Sequence, residues 1–92
     1  MSSITVSLPG ALRAKVGNRA SVTIVGETVR DIIEALERDF PGLRFNLCYE
    51  TGELRQYVHV FLNRVNIRYL QGLETPVSAG SIVHIFQAVA GG

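Results

Sequence analysis

The chain has 92 residues, which is one domain's worth, and its 47% hydrophobic content suits a packed core of modest size. The net charge is +1, and the nine Lys and Arg residues are spread without a basic run, which argues against a nucleic-acid partner. The single cysteine, Cys48, excludes an internal disulfide, and no apolar run reaches the roughly 18 residues a membrane span needs. Met1-Ser2-Ser3 is neither basic nor followed by a signal-type apolar stretch, so the expected location is the cytoplasm.

Ile4-Thr5-Val6-Ser7-Leu8 alternates apolar and polar residues, the period of a half-buried strand, and Pro9-Gly10 stops it. Ala11 to Arg19 is a connection with a Gly17-Asn18 turn, its Leu12 and Val16 tucked against the core edge. Ser21 to Val25 alternates again with Val22 and Ile24 inward, completing an antiparallel hairpin. After Gly26, Thr28 offers an N-cap hydroxyl with Asp31 at the capping-box position. Val29, Ile32, Ile33, Leu36 and Phe40 then mark one face of a helix. Arg30, Glu34, Glu37 and Arg38 take the wet face, with Glu34–Arg38 as an i,i+4 pair, and Pro41-Gly42 ends the run.

Leu43 to Gln56 shows no clear period. Leu43, Phe45, Leu47 and Cys48 are apolar enough to cover the end of the core, and Glu50-Thr51-Gly52-Glu53 reads as a turn. Tyr57 to Leu62 is a strand with Val58, Val60 and Leu62 inward. Asn63 to Asn66 is a turn, Val65 to Tyr69 a short edge strand, Leu70 to Thr75 a loop, and Ser81 to Phe86 the last strand. One helix and four or five strands predict an α+β fold, a mixed sheet with the helix across one face and the first and last strands parallel at its centre.

Inward Val58 and Val60 leave His59 and Phe61 outward, and inward Val83 and Ile85 leave Ile82, His84 and Phe86 outward. Adjacent strands then gather His59, Phe61, His84 and Phe86 on the helix-free side, unless Leu43–Gln56 covers them. An exposed aromatic patch of this kind signals partner binding. The last strand runs into Gln87-Ala88-Val89-Ala90-Gly91-Gly92, small or apolar and uncharged. Two terminal glycines suit a narrow slot with a carboxylate presented at its end. A frayed terminus or a linker scar would read the same way.

The element order, the length, Tyr57 to Asn63, Gly72 to Val77, Gly80 to Val83 and the final Ala88 to Gly92 together resemble the ubiquitin-like β-grasp sulfur carriers of the ThiS/MoaD type. The resemblance spans the whole chain, and the last five residues look like the tail of carriers that serve cysteine synthesis from O-phosphoserine. Ala79-Gly80-Ser81 departs from the family's usual Asp-Gly-Asp. The resemblance implies a single β-grasp domain over residues 1–92, with 87–92 a flexible tail. It implies a carrier and not an enzyme, with no bound cofactor. An E1-like adenylyltransferase/sulfurtransferase would use ATP to adenylate the Gly92 carboxylate, sulfide or a persulfide would convert it to a thiocarboxylate, and an acceptor synthase would take the sulfur. Cysteine, molybdopterin and thiamine are candidate destinations. Gly91 and Gly92 would carry the chemistry, and Phe61, Phe86, His59, His84, Ala88, Val89 and Ala90 would meet the partners, Phe86 at the family's docking-aromatic position.

Other readings remain beside this one. The tail of a protein modifier also begins from an adenylate, and a β-grasp interaction module would have an inert tail. His59 and His84 lack the third ligand that zinc usually takes, so no metal site is expected. Cys48 fits a buried apolar role better than a nucleophile. Arg55, Arg64 and Arg68 would either steer an acidic partner or lie solvated.

Overall fold

The computed structural model describes residues 2–87, in which a five-stranded sheet carries its helices on one face. The strands are β1 (Ser2–Ser7), β2 (Ser21–Gly26), β3 (Val58–Leu62), β4 (Val65–Asn66) and β5 (Ile82–Gln87). Their spatial order is β2-β1-β5-β3-β4. β1 and β5 are the parallel pair, with Val6 beside Val83, and every other neighbour is antiparallel. That is the β-grasp arrangement: two hairpin-like arms held together by a central parallel pair.

The helices are α1 (Gly10–Arg13), α2 (Val29–Asp39) and α3 (Leu43–Leu47). α2 forms where the stripe and the cap agree. The Thr28 hydroxyl accepts from the Asp31 amide at 3.2 Å, and the Asp31 carboxylate accepts from the Thr28 and Glu27 amides at 3.3 and 3.1 Å. A cap of this kind contributes about 1 kcal/mol. Val29, Ile32, Ile33 and Leu36 are buried against the inward faces of β1, β2, β3 and β5, which supply Ile4, Val6, Val22, Ile24, Val58, Val60, Val83 and Ile85. Phe40 is the C-cap residue and packs on the core only in part. Gly26 permits the close docking of α2 on β2, because a Cβ there would stand 2.9 Å from the Ile32 Cδ1 and 3.0 Å from the Asp31 Cβ.

Several segments depart from the sequence reading. The connection after β1 is helical, α1 followed by a 3-10 turn at Ala14–Val16, and both Leu12 and Val16 are buried as expected. Leu43–Gln56 holds α3, whose first turn is secured by the Glu37 carboxylate accepting from the Gly42 and Arg44 amides. Leu43, Leu47 and Cys48 close the core there, but Phe45 is 66% exposed. The edge strand is only two residues long, and Ile67–Tyr69 and Gly72–Glu74 are 3-10 turns. Among the described residues the ion pairs are Arg30–Glu74 at 2.6 Å and Arg38–Asp39 at 3.9 Å, so the expected Glu34–Arg38 pair is not formed. Gln87 belongs not to the tail, as its sequence position suggests, but to β5, where it stands opposite Val58. Ala88 to Gly92 lie outside the described residues.

Candidate functional site

β3 and β5 position the outward aromatic residues by register. His59 stands opposite Phe86 and Phe61 opposite His84. The Phe61 and Phe86 rings meet edge to face with centroids 5.5 Å apart, and the His84 ring stacks on Phe86 at 6.1 Å. Such pairs contribute about 0.5–1.5 kcal/mol beyond their burial, which favours this arrangement of the rings. Phe86 is nevertheless 51% exposed and Ile82 39% exposed, while Phe61, His59 and His84 are half-buried. The patch is therefore open on the helix-free face. The Leu43–Gln56 segment does not cover it, because α3 packs on α2 at the opposite face.

Asn63, in the turn after β3, ties that turn to the first residue of β5. Asn63, at φ 57°, donates its backbone N–H to the Ile82 carbonyl at 2.8 Å, and its Oδ1 accepts from the Ile82 amide at 3.0 Å. This anchors the start of β5 to the end of β3 and so sets the line along which Ile82, His84 and Phe86 emerge. Tyr57, 38% exposed just before β3, is a surface aromatic at the patch's end. The sequence reading passed over it, although the alternation that turns His59 and Phe61 outward extends to Tyr57.

The other candidates resolve differently. The Arg55 guanidinium lies 5.0 Å from both the Phe45 and Tyr49 rings, and its Nε donates to the Phe45 carbonyl at 2.8 Å. It pins α3 to the following loop, which leaves little of it for steering. Arg64 and Arg68 are exposed. His59 and His84 have no third partner that would complete a metal-binding cluster among the described residues.

Cys48 is buried, and burial pushes its thiol above the ordinary value of 9.0, with Arg44, Arg30 and Arg55 partly opposing the shift. That disfavours the thiolate a nucleophile needs. The sign of the linkage follows: the folded chain keeps this proton to higher pH than the unfolded chain does. The associated stability is full below about pH 9 and is lost as pH rises through the folded value. Urea unfolding from about pH 7 to about pH 10 should show a steeper alkaline fall for the wild type than for Cys48→Ala. Equal slopes would place the thiol at its ordinary value.

Residues 6–92 match the ThiS family. The chain belongs to the ThiS family. Among curated proteins, it is similar to the sulfur carrier protein CysO of Mycobacterium tuberculosis, 35% identical over 91 residues that cover 97% of this chain and 98% of that one. The small archaeal modifier protein 3 of Haloferax volcanii is 37% identical over 65 residues, 71% of this chain and 70% of the other. Among solved structures, a chain of the Amycolatopsis orientalis BexX/CysO complex superposes with a TM-score of 0.89 at 37% identity, over 97% of this chain and 99% of that one. The β-grasp expectation stands on these neighbours. So does the expectation of a small sulfur-carrier protein of the ThiS and CysO type rather than a catalyst.

Proposed function

We propose that this ThiS-family chain is a protein cosubstrate whose Gly92 carboxylate is adenylated by an E1-like enzyme at the expense of ATP and converted to a thiocarboxylate. An acceptor synthase then takes the sulfur. The observation that supports this reading best is the near full-length similarity to sulfur carriers, joined to an open aromatic patch on the strand that leads into the tail. The chemistry is consistent with the residues. A terminal carboxylate is an anion at neutral pH and a poor electrophile. Adenylation supplies a leaving group, and attack by sulfide at the carbonyl carbon expels AMP and forms the C–S bond. Gly91 and Gly92 admit the chain to a slot that a side chain would block. Cysteine synthesis from O-phosphoserine is the preferred destination, with molybdopterin and thiamine behind it.

Phe61, Phe86, His59 and His84, with Ala88, Val89 and Ala90, form the docking surface in this reading, and the CysO of A. orientalis likewise occurs in a complex with BexX. Phe86→Asp should weaken binding to the activating enzyme by about 2 kcal/mol or more, as truncated aromatic hot spots do. The same change should cost the fold only about 1 kcal/mol, the size of the lost aromatic pair. Titration calorimetry and a thermal melt read the two effects separately, and equal affinity for both proteins would remove Phe86 from the interface.

The activation step itself is tested by ATP–pyrophosphate exchange. The activating enzyme should exchange label only in the presence of this chain. Exchange that is independent of the chain would overturn the proposal. The similarity to a small archaeal modifier protein favours one second reading, conjugation through Gly92 to lysines. Higher-mass adducts that survive thiol reagents would support it.

A further inference from the structure

We propose that the free edge of β2 is a self-pairing surface, through which two copies of this chain join antiparallel across a two-fold axis at Thr23. The ladder to β1 sets the geometry. The Leu8 amide donates to the Ala20 carbonyl at 3.0 Å, and the register continues through Val6–Val22, Ile4–Ile24 and Ser2–Gly26. In an antiparallel pair the bonded residues alternate. Val22, Ile24 and Gly26 therefore turn their backbone groups toward β1, and Ser21, Thr23 and Val25 turn theirs outward.

Those outward groups have no protein partner among the described residues, and all three residues are exposed, Val25 at 45%. α2 does not blanket the edge. An open cleft of about 310 Å³ lies beside the strand's outer end, lined by Val25, Gly26, Asp31, Glu34, Ala35 and Arg38. The strand also carries none of the features that usually block edge pairing. Ser-Val-Thr-Ile-Val-Gly has no charge, no proline and an unbroken register over six residues. The opposite edge, β4, has two residues and is too short to pair stably.

One register satisfies every outward group. With the axis at Thr23, the two Thr23 residues bond each other, and Ser21 of each copy bonds Val25 of the other. The same register brings Arg19 of one copy beside Glu27 of its mate, at both ends. Neither side chain is in an ion pair among the described residues; the Arg19 Nε donates to the Val16 carbonyl at 3.0 Å and its guanidinium lies 5.8 Å from the Phe40 ring centroid, so its charge reaches Glu27 of the mate by swinging off that ring. A neutral middle with opposite charges at its two ends is self-complementary, as a two-fold interface requires. This selects a second copy over a foreign strand. β5 lies two strands in from this edge, about 10 Å away, so the aromatic patch stays open in the dimer.

The test is sedimentation together with amide hydrogen exchange on the full chain, from about 10 µM to about 1 mM at low salt. The mean mass should climb from 10.1 kDa toward twice that value. The Ser21, Thr23 and Val25 amides should slow about tenfold or more with concentration, while Val22 and Ile24 do not change. Thr23→Lys sets like charges on the axis and should abolish both effects. Arg19→Glu should weaken the dimer, and adding Glu27→Arg should restore it. A chain that stays monomeric, protection of other amides, or a dimer that survives these charge changes overturns the proposal. So does a chain that remains monomeric while those three amides are protected by an added extended peptide.

Discussion

Deleting Gly91 and Gly92 is expected to abolish sulfur loading and leave the melting temperature unchanged. The stability half of this expectation rests on where the core lies. Among the described residues the buried apolar side chains run from Ile4 to Ile85, and β5 spans Ile82–Gln87. The functional half rests on reach. Two residues of extended chain span about 7 Å. A misplacement of about 1 Å can cost a hundredfold in rate, so a carboxylate drawn back by several ångströms is out of play. Adenylate formation assayed with the truncated chain should fall below detection while its thermal melt overlays that of the full chain. A truncated chain that loads sulfur would move the reactive group elsewhere and leave the tail inert.

Leu36→Ala should destabilise the fold far more than truncation of an exposed leucine. Leu36 is fully buried on the face of α2 that meets the sheet, among Ile4, Ile32 and the inward residues of β1 and β5. Removing a buried leucine costs about 2–5 kcal/mol, the spread reflecting how far the site collapses. A domain of this size loses roughly 4–8 °C per kcal/mol, so the melt should drop by about 8 °C at least. Against a total stability of about 5–15 kcal/mol, the variant is left partly unfolded only at the upper end of that cost. Leu70→Ala, on an exposed leucine in a loop, should move the melt little. Equal effects at the two positions would contradict the placement of the core.

What the sequence made legible was whatever repeats locally. α2 announced itself because Val29, Ile32, Ile33 and Leu36 share a face and Thr28 with Asp31 caps it. The outward set His59, Phe61, His84 and Phe86 followed from period-two alternation on two strands that proved adjacent. What stayed hidden depends on contacts between distant residues or on single turns too short to show a period. α3 is five residues long and is secured by Glu37 from another helix, so Leu43–Leu47 carried no readable signal. Phe45 looked like core because composition cannot reveal that Arg55, ten residues on, stacks over it at the surface. Arg30 found Glu74 across the fold, and the Glu34–Arg38 pair that helical spacing favours did not form. The end of β5 was misplaced by one residue because Gln87 is polar, and only its pairing with Val58 shows that the strand continues.

If Gly92 accepts sulfur, the intact mass of the chain must change. After incubation with ATP, sulfide and an activating enzyme shown to load another carrier, the chain should gain about 16 Da, one oxygen exchanged for sulfur, and fragmentation should place the gain on the last residue. An unchanged mass under those conditions, or a gain located at Cys48, would contradict it.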